Sequence, residues 1–334
     1  MGSVLDWLRL VRVSGLATVA SNAAAMTLWA FYSGEGLDVR WLWRLIVGDP
    51  ARCGWLLLAS ALLYATGMIA NDLADVERDR ILAPRRPLPA GRIGLPAAAI
   101  ACGLCGIGAV VAALLGAGPL GGLAALVVLA LALLYDFETK HWPWLGAVTM
   151  GLTRAAHALF ALLIIGNDAL RGAFFAAADS PARAVLWYPF LLFLYVTGLT
   201  VIGGLAHRPG QRWELLLGGA LMTSALLGAS ACVLTSPWQQ AWLLAGGAWP
   251  MLAVFSGLAA LGVLGGLLWS VGRPWWRALR AASRAQAQQA LVAGLGGLIL
   301  FDALVASAAH PIALVILLPL YALFWAAAAV ARMD

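Results

Sequence analysis

Charge is scarce in this chain: only 11% of its 334 residues are ionic, against about 25% in an ordinary soluble protein. That excludes a soluble fold, because 63% hydrophobic residues at this length exceed what a single water-facing globule can hide. A mean hydropathy of +0.90 instead suits a chain whose outer side chains face lipid. Cysteine is equally sparse. Its four residues (Cys53, Cys102, Cys105 and Cys232) lie in or beside apolar segments, and Cys102 and Cys105 form a C-x-x-C inside a predicted membrane helix. Small-residue packing therefore explains them better than a redox or metal site. Lysine is nearly absent, and the net charge of +6 comes from arginines lying between apolar spans. No basic stripe interleaved with exposed aromatics is present, so nucleic acid is not an expected partner. No protein partner can be identified either.

What is present in abundance is apolar sequence. Runs near the roughly 20 residues needed to cross a bilayer predict helices at 13–33, 54–74, 95–116, 118–136, 144–166, 186–206, 214–235, 242–270, 287–308 and 311–331. The fold class expected is an all-α polytopic membrane bundle of about ten transmembrane helices. Residues 1–334 form a single membrane domain, since no linker, tail or repeat remains once the spans are removed. The 37 glycines and 15 prolines are tolerable there because neighbouring helices re-satisfy the backbone. MGSVLDWLRLVR reads as the lead into a retained first helix rather than a cleaved signal. With that end inside, Arg40, Arg44, Arg52, Arg171 and Arg183 fall outside, Arg154 falls within a helix, and all other basic residues are cytoplasmic. This is the positive-inside pattern, with both termini cytoplasmic. The near-exclusive use of Arg with abundant Ala and Gly points to a bacterial inner membrane.

Acidic residues are the next scarcity. Four of the 15, namely Asp72, Asp75, Glu77 and Asp79, crowd the cytoplasmic end of the second helix. Helical spacing puts Asp72, Asp75 and Asp79 on one face, with Asn71 one turn before Asp75 and Glu77 pointing elsewhere. A stripe of hard oxygen ligands suits Mg²⁺, which uses one or two carboxylates plus water and phosphate oxygens. A solvated helix end paired to Arg78 and Arg80 is the alternative. Downstream, Arg85, Arg86, Pro87, Pro89, Gly91 and Arg92 form a constrained turn that brings guanidinium groups towards the carboxylates, a plausible clamp for diphosphate.

These residues carry a family resemblance. N-D-x-x-D-x-x-x-D (Asn71 to Asp79), followed by RRPLPAGRI (Arg85 to Ile93) at the end of the second membrane helix, resembles the UbiA superfamily of intramembrane prenyltransferases. WLRLVR before the first helix and Tyr135 to Lys140 after the fourth are similar to it too, over roughly residues 7–210. The resemblance implies a bundle with a lipid-open cavity, an isoprenyl diphosphate held by Mg²⁺ at the cytoplasmic mouth, and prenyl transfer to a lipophilic or aromatic acceptor in the membrane. It assigns Asn71, Asp72, Asp75 and Asp79 to the metal, the three aspartates to catalysis, and Arg85, Arg86, Tyr135 and Lys140 to the diphosphate.

Two departures stand out. Typical members carry a second aspartate motif on the sixth helix, and here that helix offers only Tyr195, Thr197, Thr200 and His207. A tenth helix follows the usual nine. Both features are similar to the UbiA-like EboC branch, and they keep open a non-catalytic isoprenoid-diphosphate binding or transport protein. An unrelated transporter fits less well, since its polar site belongs at the bilayer midplane. Asp136 and Glu138 either replace the missing carboxylates or pair with Lys140, the pairing being the simpler reading. Asn22, Arg154, His157 and Tyr195 are cavity candidates, and Asp302 is an intramembrane acid without a recognisable partner.

Overall fold

The computed structural model describes residues 3–32, 48–175, 184–205, 212–235, 250–281, 283–310 and 312–331. Among them the secondary structure is helical, without strands. A short helix α1 (Val4–Leu10) opens with a capping box, Ser3 and Asp6 satisfying each other's backbone N–H groups. It leads into α2 (Ser14–Tyr32). Then α3 (Pro50–Ala74) starts where Asp49 accepts a hydrogen bond from the Arg52 N–H at 3.0 Å and Pro50 occupies the first turn. It gives way at Asp75 to α4 (Val76–Leu82).

The following helix, α5 (Leu95–Phe137), has 43 residues, too many for one crossing. It breaks at Ala117 and Gly118, where Gly118 has φ 65° and ψ −156°. Pro119 disfavours helical backbone in the residue before it, and only glycine accepts this positive φ readily. The two rods, 95–116 and 119–137, reproduce the predicted third and fourth helices. They approach closely because the turn side is small: a Cβ on Gly121 would fall 2.3 Å from the Ala113 carbonyl oxygen. Helix α3 lies along both rods.

The rest are α6 (Pro143–Ala161), α7 (Asn167–Phe175), α8 (Trp187–Gly204), α9 (Arg212–Leu234), α10 (Pro250–Leu267), α11 (Arg273–Ala281), α12 (Arg284–Ala309) and α13 (Ile312–Ala331). Among the described residues, seven helices are long and apolar enough to cross a membrane. Counting α5 as two rods and adding α2 and α10 gives ten rods of roughly bilayer length at 1.5 Å per residue, in the predicted order. Residues 242–249 of the predicted eighth span lie outside the described residues. Helix α12 is central, with 83% of its apolar window buried against α2, α8, α9 and α13, whereas α13 buries 22% and turns the rest outward. The short helices escaped the sequence reading because none has a full span of apolar residues. Among them α11 is strongly amphipathic, and Arg280 sits over the Trp276 ring at 4.9 Å, as suits the water–lipid boundary.

Candidate functional site

The α3–α4 junction builds the site. Asn71 and Asp72 occupy the last turn of α3. Asp75 interrupts the helix at φ −97° and ψ 1° while keeping the backbone bonds Asp75 N–H to Asn71 and Asp79 N–H to Asp75. The carboxylates therefore stay on one side although the helix is not continuous. Asp72, Asp75 and Asp79 are 3–5% exposed. A helix C-terminus already carries partial negative charge, so three buried acids there require cations. Arg12 Nη2 lies 2.7 Å from Asp72 Oδ1, Arg78 Nη2 lies 2.6 Å from Asp75 Oδ2, and Lys140 Nζ lies 2.8 Å from Asp75 Oδ1. Arg86 bonds Asp79 and stands 4.0 Å from Asp72. Glu77 points to solvent and pairs with Arg80 instead.

Arg86 is delivered by the R-P-L-P-x-G turn, in which the Ala90, Gly91 and Arg92 N–H groups bond back to Arg86, Leu88 and Pro87, with Gly91 at φ 68°. Arg85 and Arg92 do other work. The Arg85 side chain is exposed, away from the cavity, and its carbonyl accepts a bond from Arg92 at 2.8 Å. Arg92 Nε also reaches Asp6 at 2.7 Å, fastening α1 to the turn. The Ser3 hydroxyl, with Arg92 beside it, holds the Asp6 carboxyl below its ordinary pKa of 3.8.

Below this cluster opens a cavity of about 580 Å³. Arg12, Asn71, Asp75, Arg86, Tyr135 and Lys140 line its mouth, Val19, Leu63, Val128, Met150 and Leu199 line its walls, and Arg154 and His157 lie deeper. Asp72 and Asp79 sit behind the mouth rather than on the cavity surface. Asn22 and Tyr195, expected at the cavity, are instead fully buried between helices. Tyr195 donates to the Gly294 carbonyl at 3.0 Å and stacks on Phe301, because glycine in α12 lets the two helices close up. Asn22 donates to Asp302 at 2.7 Å. Asp302 also accepts bonds from Ser21 and from the Tyr188 hydroxyl at 2.8 Å, which supplies the partners that its sequence surroundings did not reveal.

On α8, Val196, Leu199, Thr200, Val201, Gly203 and Gly204 face the cavity, and none carries charge. Thr197 faces Gly151 rather than the cavity, and His207 lies outside the described residues. The expected pairing of Lys140 with Asp136 or Glu138 is replaced by Lys140 with Asp75. Asp136 is 3% exposed, lines the cavity, and forms no ion pair among the described residues. Sequence reasoning did not single out Arg12, Ser60 or Tyr64. Only Arg12 left a signal, as a cation just ahead of the first span.

Magnesium needs one or two carboxylates and completes its shell with water and phosphate oxygens. No three acidic, His or Cys side chains among the described residues form a single ligand set. Among the described residues no donor reaches Asp72 Oδ2, and in front of it Asp75, Asp136 and the Asn71 amide oxygen add hard donors at the mouth. The donor chemistry fits that ion.

Fold and site together define an integral membrane protein of helical-bundle type, with an interfacial cluster of acids and guanidinium groups over an apolar cavity. Residues 23–292 match the model of the UbiA prenyltransferase family, and the chain belongs to that family. It is 30% identical over 166 residues to digeranylgeranylglyceryl phosphate synthase of Sulfolobus acidocaldarius, covering 49% of this chain and 54% of that protein. The corresponding synthase of Metallosphaera sedula is 32% identical over 155 residues, 46% of this chain and 49% of that one. The chain thus spans about half the length of these curated relatives. Among solved structures, a UbiA homologue from Archaeoglobus fulgidus bound to GPP and Mg²⁺ has the same fold, with TM-score 0.50 and 15% identity, covering 90% of this chain and 99% of that one.

Proposed function

We propose that this protein transfers a prenyl group from an isoprenyl diphosphate to a lipophilic acceptor inside the membrane, with the cavity mouth on the cytoplasmic side. The observation that carries this reading is the buried cluster of Asp72, Asp75 and Asp79 against Arg12, Arg78, Arg86 and Lys140, set over an apolar cavity. Counting Asp136, the four acids and four cations sum to zero formal charge, so a divalent ion tips the mouth towards binding a polyanion.

Asp72 and Asp75, with Asn71 and Asp79 beside them, would hold Mg²⁺, which neutralises diphosphate oxygens and makes the diphosphate a better leaving group. Arg12, Arg86 and Lys140 then face the oxygens on which negative charge grows as the allylic C–O bond breaks. Asp72, Asp79 and Asp75 hold Arg12, Arg86 and Lys140 respectively in position beforehand, so little reorganisation accompanies the reaction. Val19, Leu63, Val128, Met150 and Leu199 keep water from the allylic cation, so that the acceptor captures it and then loses a proton. The acceptor itself is not specified by these residues.

A second reading, an isoprenoid-diphosphate binder or carrier without turnover, is favoured by the uncharged cavity face of α8, where a second carboxylate pair is missing. Purified protein in nanodiscs, given radiolabelled prenyl diphosphates and a membrane lipid extract with and without Mg²⁺, separates the two. Mg²⁺-dependent appearance of label in a new lipid product supports transfer; saturable binding without product, across a range of chain lengths, overturns it in favour of the carrier.

A further inference from the structure

The arginines that follow α10 have no acid to answer them. Between Glu214 and Asp302 the sequence contains no acidic residue, yet Arg273, Arg277, Arg280 and Arg284 fall within that interval. On the helices packed against α11 the acids are Glu214 of α9 and Asp302 of α12, and both are buried. All four arginines are exposed, and among the described residues none of them forms an ion pair.

Along the chain no basic stripe interleaved with exposed aromatics stands out, but the fold makes one. Arg273, Trp276, Arg277 and Arg280 are three or four residues apart and share one face of α11, with Trp269 one turn before Arg273. The opposite face packs inward: Ala278 is fully buried, and Trp275 Nε1 donates to the Leu215 carbonyl of α9 at 2.8 Å. The arginine face is thereby fixed outward. Arg273 lies over the Trp269 ring at 4.7 Å and Arg280 over the Trp276 ring at 4.9 Å. The ring faces hold the guanidinium planes and leave their N–H donors unused. The positive-inside pattern accounts for arginines at this end of the bundle, but not for their alignment with two exposed tryptophans.

Position then selects a partner. Helix α6 starts at the cavity mouth and α8 runs back against it, Thr197 beside Gly151, so α9 begins at the mouth end and Leu215 in its first turn holds α11 there. Upstream, Leu258 and Leu261 of α10 and Leu268 in the turn after it are exposed, a strip suited to acyl chains. The strip leads into Trp269 and the arginines, which therefore stand where lipid-facing surface meets water. Phosphates of the headgroup layer lie at that level. A nucleic acid would have to reach the same arginines across the headgroups.

We propose that Trp269, Arg273, Trp276, Arg277, Arg280 and Arg284 form a docking surface for anionic phospholipid headgroups, whose phosphates bind the guanidinium forks. A leaflet rich in such lipids carries the complementary negative charge. The surface is independent of prenyl transfer, since none of these residues lines the cavity.

Native mass spectrometry of the full chain in detergent, titrated with dioleoylphosphatidylglycerol or dioleoylphosphatidylcholine, tests this. The first phosphatidylglycerol should bind on the order of tenfold more tightly than the first phosphatidylcholine, and Arg277→Gln with Arg280→Gln should remove most of that preference. Arg9→Gln with Arg80→Gln, an equal loss of charge at the same end, should keep it. Raising ammonium acetate about tenfold should weaken the preference of the native protein, a readout that needs no variant. Equal affinity of the native protein for the two lipids, or a preference indifferent to salt, overturns the proposal. So does a preference that survives in the folded Arg277→Gln, Arg280→Gln protein, or that falls equally in the Arg9→Gln, Arg80→Gln control. Binding of a labelled single-stranded RNA that is lost in Arg277→Gln with Arg280→Gln, without any lipid preference in the native protein, also overturns it and assigns the stripe to nucleic acid.

Discussion

Arg12 and Asp72 are sixty residues apart in the chain, yet the Arg12 guanidinium lies 2.7 Å from the Asp72 carboxylate. Arg12 reaches it from a left-handed backbone, φ 51°, that its side chain disfavours. The Tyr64 hydroxyl pins this turn by donating to the Arg12 carbonyl at 2.9 Å. The strained turn carries the last residue of WLRLVR to the cavity mouth as a cation facing Asp72. Arg12→Ala should weaken Mg²⁺-dependent prenyl diphosphate binding by about tenfold, the low end for a charge-assisted bond because the Arg12 side chain is 32% exposed. Calorimetry in nanodiscs measures this; an unchanged affinity would remove Arg12 from the site.

Lys140 and Asp75 form the most enclosed pair of the cluster, 8% and 5% exposed. Lys140→Met should destabilise the protein by about 3 kcal/mol, the lower end for breaking a buried pair, since Arg78 still neutralises Asp75. Asp75→Ala and Asp72→Ala should abolish Mg²⁺-dependent prenyl diphosphate binding while membrane insertion is retained. Thermal unfolding and calorimetry on the same samples separate stability from binding.

A second carboxylate pair should be installable. Val196 and Thr200 are four residues apart on α8 and both line the cavity, whereas Thr197 is packed against α6. Val196→Asp with Thr200→Asp should strengthen Mg²⁺-dependent diphosphate binding, against roughly 2.5–3.5 kcal/mol of insertion cost per unpaired acid. If a well-folded double variant binds no better across a Mg²⁺ titration, the native mouth already has the carboxylates it needs, with Asp136 first among them.

Gly118 permits the fold-back of α5. At φ 65° and ψ −156° a side chain is strained, so Gly118→Ala should lower stability by about 1–3 kcal/mol without altering diphosphate affinity. A melting temperature equal to that of the native protein would mean the break tolerates a Cβ.

Asp6 gives a pH signature. Its carboxyl is held below 3.8 by the Ser3 hydroxyl and Arg92, so its contribution is complete above the ordinary carboxylate range and is lost as pH falls through the depressed value. Hydrogen exchange of residues 3–12, compared at each pH with Asp6→Asn, should show protection in the native protein at pH 6 and convergence of the two below about pH 3. Equal exchange at pH 6 would mean α1 is not fastened through Arg92.

The helical membrane class was readable because lipid imposes a length and composition on every span, whatever its neighbours. The acid stripe and the R-P-L-P-x-G turn were equally legible, being contiguous: Asp72, Asp75 and Asp79 share a face by local periodicity, and Gly91 sets the turn by its own backbone. The break at Gly118 and Pro119 needed only two adjacent residues. Cation assignment was not legible in the same way. Lys140 was expected to answer its sequence neighbours Asp136 and Glu138, but pairs with Asp75, because the loop after α5 folds over the end of α3.

Side-chain direction also lay beyond the sequence in the deeper bundle. Asn22, Tyr195 and Arg154 are all polar groups in apolar helices and read alike, yet Asn22 and Tyr195 are turned into contacts with α12 while Arg154 faces the cavity. Asp302 found Ser21, Asn22 and Tyr188 from two other helices. The sequence by itself determined the spans, their order and the carboxylate face, since these follow from hydrophobic length and a 3.6-residue period. Only the tertiary structure decided which cation meets which acid and which polar side chain faces open space. A charge in low dielectric is settled by whatever approaches it through the fold, and that approach is set by helix packing across tens to hundreds of residues.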